Sequence, residues 1–154
     1  MKVVIGYGNE LRGEDAFGID VIKELKKFKP KETKLLSSHQ LTPELVLDLL
    51  EADEVIFVDV CYEEKNCYEL ACSTTRQKNL NISHQIYPST IMQMLKSLYE
   101  KTPAFSIYSM QSNSFEKILD IKKYKENLKK VTKYIFATHL DKQPNQIYLL
   151  GSEK

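Results

Sequence analysis

The sequence predicts a single α/β domain, a three-layer sandwich in which helices flank a mostly parallel, twisted β-sheet of about five strands. Short β-branched runs alternate along the chain with segments whose apolar residues recur at helical spacing. No linker, internal repeat or low-complexity stretch interrupts the 154 residues. Residues 1–154 are therefore interpreted as one domain of ordinary size.

Strands are expected where β-branched and aromatic residues concentrate. The clearest is Glu54–Val60, and Lys2–Tyr7 is expected to be buried on both faces because it is almost continuously apolar. Further strands are expected at Thr33–Leu36, Tyr68–Ser73 and Ala104–Met110.

Helices are expected between these strands. Apolar residues in Phe17–Phe28, Pro88–Tyr99 and Tyr124–Ile135 recur at helical spacing. Another helix is predicted to open with Thr42 as N-cap and Pro43 at its first position.

Composition excludes several classes of function. The net charge is +1, and the lysines of residues 122–133 are interpreted as a solvated helix face, so no nucleic acid partner is expected. No apolar run approaches the roughly 20 residues that span a bilayer, so no membrane association is expected. Three cysteines without a C-x-x-C motif favour a reducing cytoplasm. We expect a cytoplasmic monomer.

Three groups of potential metal ligands fall at or near the carboxyl ends of the predicted strands, where open α/β sheets bind ligands. The turn after the first strand carries Glu14 and Asp15, Asp59 closes a hydrophobic strand, and His84 precedes a helix. Two carboxylates and one imidazole suit nickel, zinc or manganese.

Each of these residues has a structural alternative. Asp15 fits a cap or dipole partner of the following helix, and Glu14 fits a cap, a ligand or an acid that supports a ligand. A lone histidine such as His84 is more often structural, and His139, near a helix end, is expected on the surface. Asp59 is harder to explain this way, because burying an unpaired carboxylate is costly.

The glycines of the first turn also invite a nucleotide-binding interpretation. Gly6 and Gly8 follow a strand, but the third glycine of a dinucleotide fingerprint would fall at Leu11. The second strand ends in Ser37 and Ser38, where an acid for the ribose is expected.

The segment Gly6–Gly18, GYGNELRGEDAFG, resembles the motif G-x-G-N-x-L-x-x-D-D/E-x-x-G of the hydrogenase maturation endopeptidases. Leu98–Pro103, LYEKTP, is similar to the L-Y-G-x-x-P turn of that family, and the resemblance covers roughly residues 1–136. Members of this aspartyl-type peptidase family remove the C-terminal extension of a nickel-loaded [NiFe] hydrogenase large-subunit precursor. The resemblance implies the same activity, with that precursor as partner.

The resemblance also implies roles for residues. Asp15, Asp59 and His84 match the metal ligands and catalytic residues of the family. The metal would be nickel supplied by the precursor, or another divalent metal at the same site. The loop with His39 and Gln40 is similar to that of proteases serving soluble, bidirectional or NAD-linked hydrogenases, which implies that the two residues select the substrate.

Two other functional classes remain open from the sequence. The first is a metal- or nucleotide-binding α/β module without hydrolytic activity. The second is an aminopeptidase-like or spore-protease-like hydrolase on a related fold. No G-x-S-x-G nucleophile motif occurs, so a metal-centred site is the chemistry that the residues favour.

Overall fold

The computed structural model of the chain describes residues 1–62, 67–73 and 86–141. The strands are β1 (Lys2–Tyr7), β2 (Thr33–Ser38), β3 (Glu54–Tyr62), β4 (Leu70–Ser73) and β5 (Ala104–Ser112). They form one sheet in the order β2-β1-β3-β5-β4. All neighbours are parallel except β4, which runs antiparallel to β5 at one edge. The prediction of a mostly parallel sheet of about five strands is confirmed.

In the described parts of the chain, three α-helices and three shorter helical segments accompany the strands, and the last of each kind follows β5. The α-helices are α1 (Phe17–Lys27), α2 (Pro88–Tyr99) and α3 (Ile121–Ile135). A 3-10 turn (Gly13–Ala16) precedes α1, a 3-10 helix (Pro43–Leu49) links β2 to β3, and a π-helical turn (Phe136–Leu140) extends α3. None of the helices within the described ranges is both long and apolar enough to cross a membrane.

Two hydrophobic cores lie on opposite faces of the sheet. Alternate residues of a strand point to opposite faces, so Val4 packs with α1 and α3, whereas Val3 and Ile5 pack with α2 and the 3-10 helix. The central residues of β1 are buried on both sides, as its continuous apolar sequence predicts. The domain therefore has the expected three layers.

Helix α1 packs directly against the sheet at two glycines. A Cβ atom added at Gly6 would lie 2.0 Å from the carbonyl oxygen of Gly18, and one added at Gly18 would lie 2.4 Å from that of Val58. Backbone therefore touches backbone here. This contact fixes the start of α1 over the carboxyl ends of β1 and β3.

The segment after β2 differs from the prediction in its type of helix and in its cap. Pro43–Leu49 is a 3-10 helix, whose buried residues Val46 and Leu49 are three apart, the spacing that aligns side chains in this conformation. Thr42 occupies the N-cap position, but its side chain makes no capping hydrogen bond. The backbone of Glu44, and after it the Thr42 side chain, lower the pKa of the Glu44 carboxyl below its usual value.

The edge strand is shorter than expected. Tyr68 has a φ of 70°, which breaks the extended conformation, so β4 begins only at Leu70. The amide of Tyr68 still donates to the carbonyl of Gln111 at 2.7 Å, which keeps this turn beside β5. The predicted strand Tyr68–Ser73 is correct in place and wrong in its first two residues.

Helix α2 ends in a left-handed residue that is not glycine. Glu100 has φ 56° and ψ 36°, and its amide donates to the carbonyl of Lys96 at 2.9 Å. Glycine is the usual residue at such a position because it carries no Cβ. The L-Y-G-x-x-P motif has glycine at the position that Glu100 fills.

The surface of α3 matches the prediction of a solvated face. Tyr124, Val131 and Ile135 face the core, and the lysines are exposed. These exposed lysines are Lys122, Lys123, Lys125, Lys129, Lys130 and Lys133.

Candidate active site

A cavity of about 350 Å³ lies at the carboxyl edge of the sheet. It is bounded by the loops that follow β1 and β2, by the upper part of β3, and by single residues that precede α2 and follow β5. The lining residues are Tyr7, Gly8, Asn9, Arg12, Asp15, His39, Gln40, Leu41, Asp59, Val60, Ile86 and Phe115. Four residues singled out from the sequence therefore meet in one cavity: Asp15, Asp59, His39 and Gln40.

Asp59 is held in place by two hydroxyl groups. The Tyr7 hydroxyl donates to Oδ2 at 2.6 Å, and the Ser109 hydroxyl donates to Oδ1. Contrary to expectation, Asp59 does not close the strand, since β3 continues to Tyr62. The pairing of β1 with β3 ends at Val58, so the sheet opens beside Asp59 and its carboxylate faces the cavity.

Asp15 is positioned by the turn that follows β1. Its Oδ2 accepts a hydrogen bond from the amide of Asn9 at 3.0 Å. A Cβ atom at Gly8 would lie 2.0 Å from the Asp15 carbonyl oxygen, and Gly8 has a φ of 145°, so this turn requires glycine there. Ala16 occupies the N-cap position of α1 and no side chain caps the helix, so Asp15 does not act as its cap.

Glu14, next to Asp15 in sequence, has a structural position outside the cavity. Its side chain is buried and accepts hydrogen bonds from the hydroxyls of Tyr68 and Ser112 and from the amide of Leu119, the last at 3.1 Å. Burial, and then the hydrogen bond to Glu14, raise the pKa of Tyr68 to about 12, so its phenol stays a neutral donor. Glu14 thus ties the site loop to β5 and to the segment before α3.

The loop after β2 reaches the cavity because it lies at the same edge of the sheet as Asp15 and Asp59. His39 and Gln40 both line the cavity. The Ser38 hydroxyl donates to the Gln40 carbonyl at 2.6 Å, which shapes the loop. His39 is not a cap of the following 3-10 helix, because no side chain makes a capping hydrogen bond there.

His84, the third predicted ligand, lies outside the described residues. Ile86, two positions further along the chain, lines the cavity. Within residues 1–62, 67–73 and 86–141, no group of three or more His, Cys, Asp and Glu side chains is arranged to hold a metal ion. The described part of the site thus contains two of the three predicted ligands, and its carboxylates are oriented by hydrogen bonds as ligating carboxylates generally are.

His139 is not the surface residue that its position near a helix end suggests. Its side chain is only 10% exposed, with Nδ1 2.8 Å from Glu54 Oε2 and Nε2 2.7 Å from the Tyr108 hydroxyl. Lys2 Nζ lies 3.1 Å from Glu54 Oε1. The π-helical turn places His139 next to Glu54, at the amino end of β3. The cavity lies at the opposite edge of the sheet, beside Asp59.

Among the cavity residues that the sequence analysis does not predict, Tyr7 and Arg12 make polar contacts. Tyr7 binds Asp59, and Arg12 lines the cavity while its guanidinium contacts Glu116 at 2.8 Å. The sequence signal for Tyr7 is its position as the last residue of the predicted strand Lys2–Tyr7, at the carboxyl edge of the sheet. No sequence signal pairs Arg12 with Glu116, because the partners come from separate loops.

The sequence matches no protein-family model and no curated protein. The fold, in contrast, matches solved structures. The HycI [NiFe] hydrogenase maturation protease of Thermococcus kodakarensis has 22% identity and a TM-score of 0.68, over 87% of this chain and 88% of that one. A hydrogenase 2 maturation peptidase from a Thaumarchaeota archaeon has 19% identity and a TM-score of 0.64, over 91% and 99%.

The hydrogenase maturating endopeptidase HybD of Escherichia coli has 16% identity and a TM-score of 0.62, over 91% of this chain and 94% of that one. These similarities establish the fold. The chain shares its architecture with solved hydrogenase maturation proteases over 87% to 91% of its own length and over 88% to 99% of theirs. At these identities the similarity does not transfer chemistry by itself, so the function depends on the residues of the cavity.

Proposed function

We propose that this protein is an endopeptidase that removes the C-terminal extension of a [NiFe] hydrogenase large-subunit precursor once nickel has been inserted. The main support is that Asp15 and Asp59, from separate segments, line one cavity in the fold shared with hydrogenase maturation proteases. The segment Gly6–Gly18 supplies Asp15 and the glycines that its turn requires. The reaction is hydrolysis of one peptide bond in a protein substrate.

In this proposal Asp15, Asp59 and His84 bind nickel carried by the precursor, or another divalent metal at the same site. Carboxylate and imidazole ligands suit such ions. The hydroxyls of Tyr7 and Ser109 orient Asp59, and the Asn9 amide orients Asp15. A divalent ion held by these residues would supply Lewis-acid polarisation of the scissile carbonyl. Support for His84 comes from Ile86, which lines the cavity two residues later.

The geometry disfavours the nucleotide-binding alternative. A phosphate group at the Gly6–Asn9 turn would meet the carboxylates of Asp15 and Asp59, whose charges repel it. Leu11 stands in place of the third glycine of a dinucleotide fingerprint, and it is 89% exposed rather than packed in a close helix–strand contact.

The experiment compares nickel-loaded with nickel-free precursor. Both forms are incubated with the purified protein, and intact mass is measured over time. Only the nickel-loaded form should lose its C-terminal extension, because a cavity with two carboxylates favours a substrate that brings a cation. Equal cleavage of the nickel-free form would contradict the role of nickel, and cleavage of neither would overturn the proposed function.

We further propose that His39 and Gln40 select which precursor is accepted. Both line the cavity from a loop, while the carboxylates are held by the sheet and by the glycine turn. Replacing the pair by Asp-Gly should change the ratio of kcat/KM between two hydrogenase precursors, with metal affinity nearly unchanged. The ratio is measured for both precursors under one condition. An equal loss with both precursors would show that the loop supports the fold only.

A further inference from the structure

Strand β2 forms one edge of the sheet, and no strand of the described residues pairs with its outer side. Its carboxyl end leads directly into the loop of His39, Gln40 and Leu41, which line the cavity. The strand at the opposite edge, β4, is four residues long, and none of its described residues lines the cavity. The outer side of β2 is therefore the sheet edge that reaches the candidate active site.

The backbone of β2 alternates between its paired and its outer side. Ser38 faces β1, because its carbonyl accepts a hydrogen bond from the Gly8 amide at 3.1 Å. In an extended strand, the amide and carbonyl of neighbouring residues point to opposite sides, so Ser37 and Leu35 direct theirs outward. Within the described part of the chain, no hydrogen bond reaches these outward groups. They are main-chain donors and acceptors of the kind that another strand would pair with.

A hollow of about 160 Å³ lies beside the carboxyl end of this edge. We call it the side hollow, and its lining residues are Gly8, Glu10, Ile19, Ser37, Ser38 and His39. Gly8 and His39 also line the cavity, so the two spaces adjoin. Side chains of a strand alternate between the faces of a sheet, so a peptide beside β2 would direct one towards this space.

We infer that β2 binds the C-terminal extension of the protein substrate as an added β-strand, with Ser37 as the first main-chain contact outside the cavity. This inference rests on the proposed function. The occupant follows from the chemistry of the edge, because amides and carbonyls at strand spacing match the backbone of an extended peptide. Main-chain bonds give the affinity, and the side hollow receives one side chain of the extension.

The added strand is expected to run antiparallel to β2. In the proposed function, the substrate before the scissile bond brings nickel to Asp15 and Asp59, so the residues after that bond leave the cavity past His39. A segment that leaves from the carboxyl end of β2 towards its amino end is antiparallel to it. This arrangement also has the more stable pairing per residue.

The test is Ser37→Pro, assayed on nickel-loaded precursor for KM and kcat separately. Proline removes the outward amide and places its ring on the outer side, where a strand tolerates proline because no bond within the sheet is lost. Ser37→Ala is the matched variant, since it removes the same hydroxyl and keeps the amide. The KM of Ser37→Pro should exceed that of Ser37→Ala roughly tenfold at similar kcat, because only the proline blocks main-chain pairing.

A second measurement needs no substitution and decides the question if Ser37→Pro does not fold. Hydrogen exchange of backbone amides is followed in the wild-type protein with and without a synthetic peptide of the extension sequence. The peptide should slow exchange at the amides of Leu35 and Ser37, because both become bonded to it. The amide of Leu36 is the internal control, since it already faces β1.

The outcomes separate this inference from the proposed function. No cleavage by the wild-type protein overturns the proposed function and this inference with it. Cleavage with equal KM for Ser37→Pro and Ser37→Ala overturns the inference alone, and so do exchange rates at Leu35 and Ser37 that the peptide leaves unchanged. If Ser37→Pro instead dissociates a wild-type dimer in sedimentation without changing KM, the edge pairs with a second copy and the inference is wrong.

Discussion

Strand β3 carries a carboxylate near each end, and the two have different partners. At the amino end, Glu54 contacts Lys2 at 3.1 Å and His139 at 2.8 Å. The Tyr108 hydroxyl is hydrogen-bonded to the other ring nitrogen of His139. Towards the other end, Asp59 accepts hydrogen bonds from the hydroxyls of Tyr7 and Ser109 and faces a cavity. Glu54 is thus enclosed by basic side chains of the protein, whereas Asp59 faces the cavity that receives the substrate cation in the proposed function.

Under the proposed function, this difference separates a residue for stability, Glu54, from a residue for activity, Asp59. Basic partners at Glu54 tie the N-terminus and the end of α3 to the sheet. The hydroxyl donors at Asp59 orient its carboxylate and leave the negative charge uncancelled. In the proposed function, an incoming cation needs this charge. Substitutions at the two ends should therefore have opposite consequences.

The largest effect is expected for Asp59→Asn. The amide keeps the shape of the side chain and loses the charge, so precursor cleavage should fall roughly a hundredfold or more. The measurement is the rate of mass loss of nickel-loaded precursor, with circular dichroism as the check on folding. A wild-type rate would make Asp59 a structural residue and remove it from the metal site.

The control for Asp59→Asn lies at the other end of the strand. Glu54→Gln should lower the free energy of unfolding by about 1 kcal/mol, because two partly buried interactions lose their charged acceptor. Cleavage should stay at the wild-type rate. If Glu54→Gln impairs cleavage as strongly as Asp59→Asn, stability and activity are not separated between these two residues of β3.

The next effect concerns Glu14, adjacent to Asp15 but buried with three hydrogen-bond donors. Glu14→Gln replaces one acceptor oxygen by an amide that donates, so we expect a loss of about 2 kcal/mol in the free energy of unfolding. Urea denaturation measures it. The matched control is Glu10→Gln, since Glu10 is exposed and pairs loosely with Lys23 at 3.5 Å. Equal stabilities for the two variants would disprove the structural role of Glu14.

The smallest effect is a gain. Glu100→Gly should raise the free energy of unfolding by about 0.5 kcal/mol, because relief of the left-handed strain exceeds the extra entropy of glycine in the unfolded chain. Thermal melting should show a small rise, with cleavage unchanged since Glu100 lies at the far end of α2. A lower melting temperature would mean that the glutamate side chain stabilises this turn.

Local sequence predicts most of the fold because strands and helices have distinct patterns of apolar residues. Continuous apolar runs marked β1 and β3, and helical spacing marked α1 and α3. The meeting of Asp15 with Asp59 was also predictable, since the carboxyl ends of parallel strands share one edge. These inferences need only the pattern of residues and the rules of parallel sheets.

Contacts between distant segments could not be predicted in this way. The donors to Glu14 come from Tyr68 and Ser112, and the partners of His139 come from β3 and β5. Neither histidine nor glutamate carries a local signal of its future partner. The helix after β2 was assigned correctly as a helix, but its 3-10 form depends on how Val46 and Leu49 fit the core.

The contact of Gly6 with Gly18 limits how such a protein can adapt to a new substrate. Even a methyl group at either position would overlap backbone and push α1 outward, carrying Asp15 away from Asp59. Neither glycine can compensate for change in the other, because both surfaces in contact are main chain. Adaptation must therefore occur in the loop of His39 and around the cavity mouth, while α1 and the sheet hold the two carboxylates at a fixed separation.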